Sequence, residues 1–413
     1  MSQFEPILLI SLLFGFYAAW NIGANDVSNA MGTSVGSKAL TIRQAVVIAA
    51  IFEFCGAVFF GAHVSETLQH GIINPQVFAH HPHILVNGML AALLACGIWL
   101  QLATYLGLPV STTHSIVGAI RGFGAVVGGT HAVYWDEVLS IAGSWVASPL
   151  MGACVGFVFF SVLRKRIFYS ANPLAATQKL LPWIVGSLVV VFSIVGLWGV
   201  IAPNGDAIDK LEIILLAAFL AGLASRLICR YEHLPQSVPE GMHGEFHWVE
   251  RIFAVLQIIT ACLMAFSHGA NDAANAIGPL AAIIAITETG STSFEAVIPT
   301  WILVLGGIGI VAGLATWGWR VIETIGKKIT ELTPSRGFSA EFAAALTVLL
   351  ASRLGFPVST THTLVGAVLG VGMASGLGTI NLRVIRDIVF AWIITIPAGA
   401  LLSILCYYVI DLF

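Results

Sequence analysis

Two short polar motifs stand inside otherwise apolar sequence, and each of them occurs twice. Residues 109–114 read Pro-Val-Ser-Thr-Thr-His and recur unchanged at 357–362, 248 positions later. Residues 23–26 read Gly-Ala-Asn-Asp and recur at 269–272, 246 positions later. Because both motifs keep their order and nearly their spacing, the chain contains an internal duplication. Any chemistry that these motifs carry is therefore expected to be carried twice.

The first motif, here called the hydroxyl motif, has the features of an anion-binding helix start. Its proline discourages helix just before the hydroxyl residues, which then open a new apolar run. A Ser or Thr at such a break is typical of a helix N-cap, where free N–H groups and the positive dipole end favour an oxyanion. The alternative is that these hydroxyls bond only to their own helix carbonyls. The two copies would present six hydroxyls to a small tetrahedral ligand: Ser111, Thr112, Thr113, Ser359, Thr360 and Thr361.

The second motif, here called the Asn-Asp motif, has the features of a cation site. An ionised carboxylate inside an apolar segment is costly and is usually functional. The preceding glycine allows the helix to unwind and free its carbonyls, which would suit Na⁺ together with carboxylate and amide oxygens. The alternative is a structural hydrogen bond between two helices. The candidate ligands are Asn25, Asp26, Asn271 and Asp272.

Two further acidic residues, Glu53 and Glu341, lie in apolar stretches and are candidates for cation ligands or proton carriers. Neither motif contains Lys or Arg, and an anion beside Asp26 and Asp272 would be strongly repelled in a medium of low dielectric constant. Co-bound cations or protons would remove that repulsion. The site composition therefore predicts obligatory coupling of the anion to a cation.

Three histidines accompany the motifs. His114 and His362 end the hydroxyl motifs, where they would either orient a threonine or a ligand oxygen or serve in packing. His268 stands where the first copy has Ile22, so we expect it to lie outside any machinery that the two copies share.

The elements that must position these residues are membrane helices. Of the 413 residues, 58% are hydrophobic and 9% are charged, against about 25% charged residues in an average soluble domain. This composition excludes a soluble enzyme, a nucleic-acid binder with a basic face and a disordered scaffold. The predicted fold is an all-α polytopic membrane protein of about twelve transmembrane segments, in two repeats with interrupted helices or hairpins. The segments that contain the hydroxyl motifs, 109–114 and 357–362, are candidates for re-entrant hairpins.

The charges of matched loops indicate that the two copies have opposite orientations. Cytoplasmic loops are enriched in Lys and Arg. Lys38 and Arg43 follow the first Asn-Asp motif, whereas residues 284–298 after the second contain no basic residue. Acidic residues 136 and 137 likewise correspond to basic residues 383 and 386, and the His-rich segment 61–83 corresponds to the basic segment 320–336. Both termini are then predicted outside, and inverted repeats of this kind are typical of secondary transporters.

The predicted organisation has three parts: a first repeat, 1–163; connecting spans with short cytoplasmic loops, 164–251; and a second repeat, 252–413. The connecting part contains the predicted spans 180–201 and 211–228, an acidic outer loop at 203–212 and basic cytoplasmic connectors at 164–179 and 226–251.

With both motifs in hand, the sequence resembles the inorganic phosphate transporter family, often called PiT, which includes the type III sodium–phosphate cotransporters. The resemblance rests on residues 23–30, residues 269–276 and the two hydroxyl motifs. It implies symport of phosphate with Na⁺ or H⁺ by alternating access, in a homodimer without a cofactor. It also implies that the six hydroxyl residues hold phosphate, that the Asn-Asp motifs serve the cations, and that Glu53 and Glu341 occupy acidic positions of the family.

The sequence leads to a cation-coupled phosphate symporter of the plasma membrane, in a bacterial inner membrane, with Na⁺ slightly favoured over H⁺. Its expected partners are phosphate, the cation, the lipid bilayer and a second copy, with no nucleic acid. The alternatives are a sulfate or other oxyanion permease of the same fold and an H⁺-coupled metal–phosphate symporter. An anion channel and an intramembrane aspartic enzyme explain the duplicated hydroxyl motif less well, so the chain is predicted not to be an enzyme.

Overall fold

The protein is described by a computed structural model that covers residues 4–70, 72–201, 242–292, 298–322, 332–376 and 381–412. Apart from one isolated bridge between Ile73 and Val133, the regular structure in these ranges is helical. The helices longer than one or two turns are α1 Phe4–Gly36, α2 Ile42–His70, α3 Pro82–Tyr105, α4 Thr112–Val127, α5 Trp135–Leu163, α6 Pro173–Ile201, α7 Met242–Asp272, α8 Ala274–Thr289, α9 Thr300–Thr316, α10 Pro334–Arg353, α11 Thr360–Ser375 and α12 Leu382–Ile410.

Seven helical stretches in the described ranges are long and apolar enough to cross a membrane. The outward faces of these helices carry exposed large apolar residues, such as Leu9, Leu139 and Leu401, as lipid contact requires. The predicted fold class, an all-α polytopic membrane protein, is confirmed.

Helices α3 and α4 form a helical hairpin whose tip is residues 106–111. A Cβ on Gly88, near the start of α3, would clash with the Phe123 ring near the end of α4, so the two helices are antiparallel. Helices α10 and α11 are joined by an equally short linker, residues 354–359, and pack against each other. Since α4 and α11 have only 16 residues each, they reach about 24 Å and fall short of the roughly 30 Å core of a bilayer.

The two hairpins meet tip to tip. The Thr113 hydroxyl donates to the Val358 carbonyl at 3.1 Å, and the Thr361 hydroxyl donates to the Val110 carbonyl at 3.2 Å. A long helix of each half packs against the hairpin of the other half: α5 packs against α11, and α12 packs against α4. The fold thereby brings the two hydroxyl motifs together although 248 positions separate them.

The glycines of the Asn-Asp motifs allow close helix crossings. A Cβ on Gly23 would clash with the Ile310 carbonyl oxygen of α9, and a Cβ on Gly269 would clash with the Glu53 carbonyl oxygen of α2. Helix α1 is continuous through Asp26, so the prediction that its glycine unwinds the helix is wrong. In the second copy the helix does break, but after the motif: α7 ends at Asp272 and α8 begins two residues later.

Some predicted features lie outside the described residues. These are the span 211–228, the acidic loop 203–212, most of the basic connector 226–251, and the larger part of the basic segment 320–336. The division of the chain at residues 163 and 252 stays a prediction.

Candidate substrate and cation site

Ser111 and Ser359 are helix N-caps, as the sequence predicts. Both have extended backbone conformations, and the side-chain oxygen of each accepts a hydrogen bond from the backbone N–H three residues later, at 3.2 Å. Helices α4 and α11 thus begin at the tips where the hairpins meet. Because the first N–H groups of a helix have no partner within it, two positive helix ends point into the same buried region.

The threonines of each hydroxyl motif contact the asparagine that follows the Asn-Asp motif of the other half. Asn29 donates to Thr361 at 2.8 Å and to Thr360 at 3.3 Å. Asn275 donates to Thr112 at 3.1 Å and to Thr113 at 3.4 Å. We call these the crossed contacts. They join all four motifs in one site whose hydroxyl, carboxamide and carboxylate groups are almost completely buried.

The two asparagines inside the Asn-Asp motifs hold the hairpin linkers. The Asn25 carboxamide donates to the Thr104 hydroxyl at 3.0 Å and to the Leu108 carbonyl at 3.1 Å. In the second half, the Asn271 carboxamide donates to the Ser352 hydroxyl at 3.0 Å and to the Phe356 carbonyl at 3.3 Å. These contacts fix the linkers relative to α1 and α7. A cation-ligating role for Asn25 and Asn271 stays a prediction.

His268 lies among three carboxylates. Its Nε2 atom is 2.9 Å from Asp272 Oδ2 and 3.9 Å from Asp26 Oδ2, and its Nδ1 atom is 3.3 Å from Glu53 Oε1. All four side chains are at most 1% exposed. Glu53, one of the two acidic residues predicted to serve the cation, therefore joins the Asp pair through a histidine that we expected to lie outside the shared site.

Glu341 lies in a separate polar cluster between α1, α7 and α10. Its Oε1 atom accepts hydrogen bonds from Thr33 and Ser34, both at 2.5 Å, and from the Gln257 carboxamide at 3.2 Å. Its Oε2 atom accepts one from Thr260 at 2.9 Å. Four donors thus surround one buried carboxylate. The structure does not bring Glu341 into contact with Asp26 or Asp272.

His114 and His362 form a ring stack with two tryptophans, here called the His-Trp interlock. The His rings lie 4.4 Å apart, with Trp145 3.9 Å from His114 and Trp392 3.6 Å from His362. Each His Nδ1 atom approaches the backbone carbonyl of the tryptophan that stacks on the other histidine, at 3.4 and 3.3 Å. In this arrangement the histidines link the hairpins to α5 and α12, and among the described residues neither ring makes a hydrogen bond to a motif threonine.

The central site is rich in acceptors that lack donors. Among the described residues of this site, eight buried oxygen atoms have no hydrogen-bond partner: Asp26 Oδ1 and Oδ2, Asn29 Oδ1, Glu53 Oε1 and Oε2, Asn271 Oδ1, Asp272 Oδ1 and Asn275 Oδ1. Buried acceptors of this kind are costly unless something satisfies them, and carboxylate and carboxamide oxygens are ligands for hard cations. No Lys or Arg is buried among the described residues. The nearest basic residues along the chain, Arg121 and Arg353, lie over the rings of Trp135 and Phe60.

Sequence reasoning missed His268 and assigned no ligand role to Asn29 or Asn275. The available signal for His268 was its position four residues before Asp272, which puts both side chains on one helix face. The signal for the asparagines was their recurrence three residues after each motif aspartate.

Comparisons with known proteins show to which family the chain belongs. The model of the phosphate transporter family matches residues 22–403. The chain belongs to the phosphate transporter family. It is 48% identical, over 98% of each chain, to a Chlamydia pneumoniae protein whose name contains "phosphate permease". It is 47% identical to the chloroplastic inorganic phosphate transporter 2-1 of Arabidopsis thaliana, over 96% of this chain and 70% of the relative.

A solved structure described as "The sodium-dependent phosphate transporter" is similar over 99% of this chain and 100% of its own, with a TM-score of 0.88 and 41% identity. Membership in the phosphate transporter family confirms the recognised resemblance. It also confirms that the chain is not an enzyme, because the family is one of transporters.

Proposed function

We propose that this member of the phosphate transporter family is a secondary active symporter that carries inorganic phosphate into the cell together with a cation. The crossed contacts carry the proposal, because they bring two helix starts and the motif threonines beside carboxylates without full hydrogen bonding. Helix starts and hydroxyls suit the oxygens of phosphate. The carboxylates then require a cation, since phosphate beside them is otherwise repelled.

The site residues divide into two roles. The six hydroxyl-motif residues hold phosphate, with Ser111 and Ser359 acting as the caps that orient the helix starts. Asp26, Asp272 and Glu53 provide negative charge for the cation at the centre, and the carbonyl oxygens of Asn25 and Asn271 complete this set. Glu341 provides a second cation position, because its carboxylate is buried among neutral donors alone.

Na⁺ is favoured as the coupled cation. The central ligands are hard oxygen atoms, which Na⁺ prefers, and a 41% identical solved structure is described as sodium-dependent. The rival is H⁺-coupled transport of a metal–phosphate complex. It draws support from the cluster of Asp26, His268 and Asp272, whose ligand atoms lie within 4.8 Å of one another, as a divalent metal site requires.

Transport follows from two hairpins that enter the site from opposite faces of the membrane. In this proposal the halves 1–163 and 252–413 are inverted repeats joined by 164–251, and alternating access opens one hairpin at a time. The protein acts as a homodimer in a bacterial inner membrane, with both termini outside.

Uptake of radiolabelled phosphate into liposomes that contain the purified protein tests the proposal. We expect an inward Na⁺ gradient at constant pH to drive accumulation, and unlabelled sulfate to compete poorly. Accumulation driven only by an inward proton gradient, and only with a divalent metal present, would replace Na⁺ symport by the metal–phosphate alternative. Accumulation of sulfate in place of phosphate would overturn the substrate.

A further inference from the structure

A cavity of about 420 Å³ lies between α5 and α10, outside the central site. Its walls include Ser144, Ser148 and Met151 on α5 and Thr347 and Leu350 on α10. Its surface is almost wholly apolar, and its volume is in the range of small-molecule sites, about 300–1,000 Å³.

One buried hydroxyl among the lining residues of this cavity has no partner. The Ser148 side chain is 4% exposed, and its hydroxyl makes no hydrogen bond in the described part of the chain. Of the other hydroxyl residues in the lining, Thr347 donates to the Ala343 carbonyl and Ser144 donates to the Ile141 carbonyl, whereas Ser140 is exposed. A buried, unsatisfied hydroxyl in an apolar cavity calls for a ligand with a single hydrogen-bonding group.

In the other half of the chain, a tryptophan side chain occupies the position that corresponds to this cavity. The position equivalent to Thr347 is Trp99, because both hairpins keep the offset of 248. The position equivalent to Ser148 is Thr395, by the offset of 247 that relates Trp145 to Trp392. The Trp99 indole donates to the Thr395 hydroxyl at 3.2 Å, so a side chain supplies there both the apolar body and the polar partner that the cavity lacks.

The cavity also borders the linker of the second hairpin and the exposed surface of the molecule. Its wall includes Phe356 and Val358, whose carbonyls accept hydrogen bonds from Asn271 and Thr113 of the central site. Its lining also includes Leu350 on α10 and Leu354 in the hairpin linker, which are 39% and 71% exposed. A molecule dissolved in the bilayer can therefore enter it and contact the second hairpin tip.

We propose that this cavity binds an uncharged amphiphile with one hydroxyl group and a medium-length alkyl chain, in the manner of a long-chain alcohol. The hydroxyl pairs with Ser148 and the chain fills the apolar space, as Trp99 does in the other half. The bound molecule wedges α5 against α10 and holds the second hairpin in place, so it inhibits transport. Binding is independent of the transported substrate, whereas the inhibition rests on the proposed function.

The test uses a series of straight-chain alcohols from hexanol to dodecanol. In wild-type proteoliposomes, inhibition of phosphate uptake is expected to strengthen about fourfold per CH₂ and to stop strengthening once the chain exceeds the cavity. Thr347→Trp copies the residue of the other half and is expected to retain uptake and abolish the inhibition. Val146 lies on α5 outside the cavity lining and is 63% exposed. Val146→Trp therefore adds the same ring outside the cavity and is the matched control.

Equal inhibition of wild type, Thr347→Trp and Val146→Trp would show a general effect on the bilayer and overturn the proposal. A photoreactive diazirine-bearing octanol gives a readout without transport. We expect it to label α5 and α10 near Ser148 and Met151 in the wild-type protein, and Thr347→Trp to remove that labelling. Labelling spread evenly over the exposed helix faces would also overturn the site, whatever the uptake assays show.

Discussion

Threonine and asparagine side chains make the contacts that turn four separate motifs into one site. The Thr360 hydroxyl accepts a hydrogen bond from Asn29 and donates one to Asp272 Oδ2 at 2.6 Å, so it links both halves to a carboxylate. Thr112 accepts from Asn275 in the corresponding position. Each threonine therefore stands where an anion and a cation would meet.

Replacing these threonines by valine is expected to weaken phosphate binding. Thr112→Val or Thr360→Val keeps the side-chain shape and removes one hydroxyl, and a lost hydrogen bond to a charged ligand raises the KM for phosphate at least about tenfold. Initial rates of uptake against phosphate concentration measure this. Thr363→Val, whose hydroxyl bonds only to the Ser359 carbonyl, is the control and should stay near wild type. A near-normal KM in both motif variants would remove the threonines from the phosphate site.

His268 is the nearest side-chain partner of two buried carboxylates, Asp272 and Glu53. His268→Ile, which copies residue 22 of the first half, is expected to destabilise the protein by about 3–5 kcal/mol, because it leaves Glu53 buried without its partner. Adding Glu53→Gln removes that charge and should recover part of the loss. Thermal unfolding of the single and double variants in detergent measures the coupling. Strictly additive effects would show that His268 and Glu53 do not interact.

At the scale of helices, the Asn-Asp glycines act by their lack of a side chain. Gly23→Ala and Gly269→Ala would each force a methyl group against a backbone carbonyl of a crossing helix. Because backbone cannot rotate away as a side chain can, we expect losses of about 3 kcal/mol, the upper end of the usual cost of overpacking. A Cβ on Gly143, in α5, would meet no atom within 4 Å. Gly143→Ala should therefore stay within about 1 kcal/mol of wild type. Equal melting temperatures for all three variants would contradict the close crossings.

The sequence predicted the elements better than their contacts. The repeated Pro-Val-Ser sequence, in which a proline precedes a capping serine, was sufficient to predict the helix starts at Thr112 and Thr360. Helix caps depend on neighbouring residues alone. The pairing of Asn29 with Thr361 depends on how helices separated by 332 positions cross, which no local pattern encodes. The same limit explains why Glu341 was grouped with Asp26, although the fold gives it a separate cluster.

For the whole molecule, the proposed inverted repeats place matched loops of the two halves on opposite sides of the membrane. Cysteine placed at exposed His131 should react with a membrane-impermeant maleimide added outside intact cells. Cysteine placed at exposed Arg383 should react only after permeabilisation. Both are measured in a chain whose six native cysteines are replaced. Labelling of both positions from the same side would contradict the inverted arrangement.

The central claim is that phosphate and Na⁺ move together through the crossed site. Uptake of ²²Na⁺ into proteoliposomes, measured with and without external phosphate, tests it most directly. We predict that phosphate stimulates ²²Na⁺ entry in the wild-type protein and that Thr360→Val shifts this stimulation to phosphate concentrations at least about tenfold higher. Accumulation of phosphate with no accompanying ²²Na⁺ entry would contradict the account.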